Sequence, residues 1–242
     1  MAKFNLKTID PSWQQIISTA LTTVDSQYLH HLQTTTTWLP GAINIFNAFS
    51  LPLNKTRYIL FGESPYPRAT SANGFAFWDA AVDSLWCATG MTKSVNRATS
   101  LRNLMKMLML ANGTLKPENT SQTAIAQINK TTWIQTLAEL FHNFLKHGFL
   151  LLNASLVLST RPVSSDSACW YPFITSIIEQ LTLEKTSIKL ILLGKIAEKI
   201  QKIKAAEQFS TLVAEHPYNI SFLTNQDVIS FFRPLNLLQL CH

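Results

Sequence analysis

The sequence predicts an α/β fold: a single three-layer α/β/α domain over residues 1–242, built on a central four-stranded, mainly parallel sheet. Three observations predict it. The 242 residues are 47% hydrophobic, enough for one sizeable core, and no Gly/Ser- or Pro-rich stretch divides the chain. Four short apolar runs each stop at glycine, asparagine or a Glu-His-Pro step. Stretches with helical spacing precede two of those runs, the pattern of right-handed βαβ units around a parallel sheet.

The elements follow in order. Asp10-Pro11 has the form of an N-cap followed by proline in the first helical position. Trp13, Ile16, Ile17, Leu21 and Val24 then recur at helical spacing, so the chain opens with a helix. Residues 57–61 (Arg-Tyr-Ile-Leu-Phe) form a buried strand that runs into Gly62 and Pro65. Residues 149–152 run into Asn153, and residues 188–193 run into Gly194; helices over 133–146 and 173–183 precede them. A fourth strand, 210–214, ends at Glu215-His216-Pro217. The apolar runs 148–158 and 188–193 are too short to span a bilayer and read as buried strands.

In open parallel sheets ligands collect beyond the carboxyl ends of the strands. The loop from Gly62 to Tyr66, Asn153, Gly194-Lys195 and His216-Pro217 all lie there, so four strand ends are expected to converge on one site. The formal charge of +6 favours an anionic partner, although the basic residues are dispersed. Cys87, Cys169 and Cys241 are far apart and lack metal-ligand spacing. The neighbouring His30 and His31 point in different directions on a helix. Neither a metal nor a cofactor is expected. Residues 1–13 mix Lys3, Lys7 and Asp10 with no continuous apolar segment, which argues against a signal peptide or anchor. An intracellular, cytoplasmic protein is expected, nuclear if the source is eukaryotic or viral, with no membrane partner.

Five motifs carry a resemblance. Gly62-Glu63-Ser64-Pro65-Tyr66-Pro67 is similar to the water-activating loop G-Q-D-P-Y-H of the family 1 uracil-DNA glycosylases. Gly74-Phe75-Ala76-Phe77 resembles their G-L-A-F stacking segment, and Leu150-Leu151-Leu152-Asn153 resembles their L-L-L-N. His216-Pro217-Tyr218-Asn219-Ile220-Ser221 resembles H-P-S-P-L-S, and Ile45-Phe46-Asn47-Ala48-Phe49 resembles V-F-N-A-F. The order and approximate spacing hold from Trp13 to Pro234.

The resemblance implies a monomer that flips uracil out of single- or double-stranded DNA and hydrolyses its N-glycosidic bond in base excision repair. Asn153 would read the uracil edge with one donor and one acceptor; as a bare residue it also reads as a strand-ending turn. Phe77 would stack on the base, and since Phe75, Phe77 and Trp78 crowd together, at least one of the three must be core. Tyr66 would exclude the thymine methyl, with Glu63 beside it in the substrate loop. His216 would donate to the uracil oxygen where charge gathers, and Ser64 would hold the water. Ile220 would wedge into the stack, while Ser100, Lys195 and Ser221 would grip phosphates.

The hydrolytic half departs from the pattern. Ser64 stands where the family has its aspartate, and a hydroxyl carries no charge and is a poor base near neutral pH. Glu63 brings a carboxylate one residue away, but adjacent residues in extended chain point to opposite sides. Pro67 replaces the family's histidine. Two further readings stay open: a catalytically silent module that binds uracil-containing or damaged DNA or docks a replication or repair protein, and a pocket suited to another base.

Overall fold

The computed structural model describes Phe4 and residues 9–184 and 187–240; Lys3, Lys7 and Cys241 lie outside them. Asp10 does cap the first turn, its carboxylate accepting from the Ser12 amide at 3.0 Å. That turn, Pro11–Trp13, is a 3-10 turn that leads into the helix Gln14–Leu21. Val24 lies past the helix end and is buried all the same.

The described strands are β1 (Tyr58–Gly62), β2 (Trp86–Cys87), β3 (Gly90–Met91), β4 (Phe149–Asn153), β5 (Lys189–Leu193) and β6 (Ser210–Ala214). β2 and β3 form a small antiparallel pair. The other four make the central sheet in the order β4-β1-β5-β6. β1 pairs in parallel with β4, from Tyr58 opposite Phe149 to Gly62 opposite Asn153, and in parallel with β5 on its other side. Its order places the two best-matched loops, after β1 and after β4, side by side.

Ile59, Phe61, Leu150, Leu152, Leu190 and Leu192 point from one face of this sheet into a core shared with Trp170, Phe173, Ile174 and Ile177. Leu60, Leu151 and Ile191, which alternate with them, are equally buried. Burial on both faces is the condition of a parallel sheet flanked by helices, and it is why these strands read as unbroken apolar runs. The α/β class with a four-stranded parallel sheet is therefore as the sequence predicts.

Three boundaries differ. The run 148–158 is a strand only to Asn153; past it the amides of Ala154 and Ser155 still donate to the carbonyls of Gly62 and Glu63, both at 2.9 Å. The helix expected over 173–183 begins ten residues earlier, Val163–Leu183, with Pro172 inside it. Proline in that position reads as a break in sequence, yet its exposed ring is accommodated here. The helix expected from residue 133 begins at Leu137, where Thr136 and Glu139 close a capping box. No helix among the described residues is long and apolar enough to cross a membrane.

The described chain divides into two compact units. The first holds residues up to Asp79, Gly148–Leu192 and Ile196–Thr211; the second holds Ala80–His147, Leu193–Lys195 and the chain from Leu212 onward. In the second, the helix Thr99–Ala111 is buried around most of its circumference, at Leu101, Asn103, Leu104, Met105, Met107 and Leu108 among others.

Candidate active site

In the first unit the site begins at the last rung of the β1–β4 ladder. Asn153 is 3% exposed, and its carboxamide makes no hydrogen bond among the described residues. Its polar atoms are not among those sealed from solvent without a partner, so they can meet a ligand that offers one acceptor and one donor. Gly62 makes the room: a Cβ there would collide with Asn153 Oδ1 and come within 2.8 Å of the Ala76 Cβ. Ala76 is itself docked on β4, its amide donating to the Leu151 carbonyl at 3.0 Å.

That docking carries Phe77 to the same place. Phe77 has φ +64°, the left-handed region, which a non-glycine residue adopts at a cost of about 1–3 kcal/mol and which clusters at ligand sites. Its carbonyl accepts from the Tyr66 hydroxyl at 3.1 Å. Tyr66 is half-buried; burial, and then the Asp79 carboxylate, push its phenol up to about 12. Phe75 packs against the core and meets Trp78 in a tilted contact at 5.1 Å, but Phe75, Phe77 and Trp78 are all half-buried, so none of the three crowded aromatics is a fully buried core ring as expected.

The loop after β1 departs from this cluster on one side. Glu63 is exposed and sits 4.0 Å from Lys199 Nζ, while Ser64, the next residue, is half-buried. A second ion pair, Arg68 Nη2 to Asp79 Oδ2 at 3.1 Å, ties the loop to the segment after Phe77.

In the second unit His216 follows β6. Its Nδ1 accepts from the Tyr218 amide at 3.1 Å. A neutral imidazole that accepts at Nδ1 carries its proton on Nε2, so Nε2 is the donor. Gly194, φ +81°, lies against this ring: a Cβ there would sit 2.7 Å from the His216 Cβ. The loop backbone is held from below by Asn103, whose Nδ2 donates to the carbonyls of Pro217 at 2.7 Å and Tyr218 at 3.4 Å.

Glu215 anchors the same loop from the other side, accepting from Asn225 Nδ2 at 2.8 Å. Burial raises the Glu215 carboxyl, but bonds from its own amide, Ser221 and Asn225 outweigh it and hold the group below the usual carboxylate range. Ile220 is 71% exposed at the tip of the loop, and Lys195 is exposed beyond β5. Ser100 lies in the first turn of Thr99–Ala111, whose N-cap Ala98 supplies no side-chain cap, so the helix's leading amides are open to an anion.

Contacts thus join Tyr66, Phe77 and Asn153 through Gly62 and Ala76 in one unit, and gather His216, Ile220 and Ser221 on one loop of the other. Glu63 stands apart with Lys199. Sequence reasoning missed Asn103, Glu215, Arg68 and Asp79. Asn103 left a signal, a carboxamide among the mostly apolar residues 101–111; the other three look like ordinary surface charge.

Three comparisons bear on this geometry. Residues 50–236 match the family model described as "Uracil DNA glycosylase superfamily". A uracil-DNA glycosylase of Campylobacter jejuni strain RM1221 is 26% identical over 196 residues, covering 80% of this chain and 71% of that protein. Among solved structures, the wild-type UNG of Nitratifractor salsuginis is 38% identical and superposes with a TM-score of 0.92 over 98% of this chain and 96% of that one. The mimivirus uracil-DNA glycosylase, 16% identical with a TM-score of 0.60 over 89% of this chain and 72% of its own, shares the fold.

Proposed function

The chain belongs to the uracil DNA glycosylase superfamily, and from that premise we propose that it flips uracil out of DNA and hydrolyses the base's N-glycosidic bond. The observation that carries the reading is Asn153: a carboxamide at a strand end, on a residue only 3% exposed, that makes no hydrogen bond among the described residues and is given space by a glycine that admits no other side chain.

Breaking the C1′–N1 bond leaves positive charge on the sugar and negative charge on the departing uracil. Asn153 offers a donor to a uracil carbonyl and an acceptor to the N3–H, a pattern that cytosine does not match. Phe77 supplies a stacking face, worth about 1–3 kcal/mol per base. Tyr66, kept neutral by its high pKa, presents an uncharged wall against a C5 methyl. His216 donates from Nε2 to the uracil oxygen as charge develops, a preorganised donor of the oxyanion-hole type.

Ser64 positions the attacking water without supplying charge, and Glu63, turned to Lys199, does not replace a base. The cationic sugar is then stabilised by the DNA's own phosphates and by backbone groups, and the rate is reduced. Ser100, Lys195 and Ser221 meet phosphates, and Ile220 enters the stack in place of the flipped nucleotide. The protein acts as a monomer on single- or double-stranded DNA inside the cell.

Ser64→Asp tests this reading against a silent binding module. A carboxylate restored beside an intact pocket raises uracil release by about 10²-fold or more, since one such stabilising group is worth about that much in rate. No gain, with DNA binding retained, would mean that the pocket reads DNA without cleaving it.

A further inference from the structure

Tyr66 and Phe77 are joined by the Tyr66 hydroxyl bond at 3.1 Å, and Arg68 and Asp79 by an ion pair at 3.1 Å. Both contacts link residues eleven apart, and each partner of the second lies two positions beyond its counterpart in the first. The two contacts are therefore successive rungs between the same two segments, in the same register. One rung is made by the residues that touch the base in the reading above. The other is made by residues further from it.

We propose that Arg68 and Asp79 are positioning residues for base discrimination: their ion pair clasps the loop of Tyr66 to the segment of Phe77 and fixes the gap into which the flipped pyrimidine must fit. The inference rests on the roles assigned to Tyr66 and Phe77 under the proposed function. Three features support it. Asp79 is 5% exposed, so its carboxylate is held on the inner side of the segment. The rung beyond Phe77 constrains a residue whose left-handed backbone would relax if released. And the Tyr66 phenol feels the Asp79 carboxylate directly, second only to burial, which places the acid close to the gating ring.

A steric gate works only while both of its sides are fixed. With the Arg68–Asp79 rung broken, Tyr66 can swing with its loop, and a 5-methyl group gains room. Uracil itself needs no such room. The clasp therefore affects selectivity more than rate.

The experiment measures single-turnover excision of uracil and of thymine from otherwise identical single-stranded oligonucleotides, in wild type, Asp79→Asn, Arg68→Met, Arg68→Lys and Tyr66→Gly. The ratio of the two rates is the readout, because a loss of folded protein lowers both equally. Asp79→Asn and Arg68→Met should each raise the thymine-to-uracil ratio about tenfold, part of the 10–200-fold that an apolar pocket can extract from one methyl-sized difference. Arg68→Lys, which keeps a cation opposite Asp79, should lie between them and wild type. Tyr66→Gly separates the two levels of the argument. If it admits thymine while Asp79→Asn and Arg68→Met leave the ratio unchanged, the clasp is wrong and the gate stands. If Tyr66→Gly also leaves the ratio unchanged, the assigned gate itself is wrong.

Discussion

Asn153 and Gly62 form the smallest unit that can be tested. The carboxamide lies where it does because the residue across the ladder has no side chain, so Gly62→Ala must push Asn153 aside or open β1 from β4. The predicted result is a fall in uracil release of about 10²-fold, the scale of a 1 Å misplacement of a positioning group, with a loss in stability of about 1–3 kcal/mol from overpacking; steady-state kinetics and denaturant unfolding check the two together.

Tyr66 makes a separate prediction about pH. The unfolded phenol loses its proton near pH 10, whereas burial holds the folded one to about 12. The folded state thus binds the proton more tightly, and the stability this contributes is intact below about pH 10 and declines as pH rises toward 12. In Tyr66→Phe that part of the alkaline decline disappears, measurable as a shallower fall in urea midpoint from pH 9.5 to 11.5. Asn153 could be picked out from sequence because a lone polar residue ending an apolar strand is conspicuous, and His216 because of its place in the His-Pro motif. The tautomer of His216 could not, since it depends on the Tyr218 amide, which reaches Nδ1 only once the loop has turned.

Strands were the most legible elements. Four runs with polar stops map onto β1, β4, β5 and β6 with shifts of a residue or so; β1, β4 and β5 are buried on both faces and have no reason to alternate, while the edge strand β6 is largely exposed. Helix starts were less legible. Pro172 hides ten residues of Val163–Leu183, and the capping box at Thr136 moves a helix start inward past Trp133, which instead bridges Gln239. Loops were recognisable by motif, but the residues that brace them were not, for their partners are distant in sequence: Asn103 grips carbonyls more than a hundred residues away.

The bracing has its own test. Asn103→Ala frees the Pro217 and Tyr218 carbonyls and lets the His216 loop shift. It should lower the single-turnover rate by about 10–100-fold, with a smaller change in DNA affinity, since Lys195 and Ser100 lie on other segments. A variant that bound and cleaved like wild type would show that the loop keeps its shape without Asn103.

For the molecule as a whole, fold and chemistry are legible to different depths. Apolar pattern and loop order are enough for the α/β class, and the match over residues 50–236 places the chain in its superfamily. Activity turns on fewer atoms. On the proposed reading, Ser64 removes the charge that a hydrolytic loop would use, while the carboxamide of Asn153 and the Nε2 donor of His216 would bind uracil and stabilise its departure.

Direct measurement of free uracil released from a single-stranded uracil-containing oligonucleotide, under single turnover, tests that balance most plainly. Slow but definite release by the wild-type protein is expected, reduced by about 10²-fold or more in both Asn153→Ala and His216→Ala while each variant stays folded. Release no faster from wild type than from those two variants would contradict it.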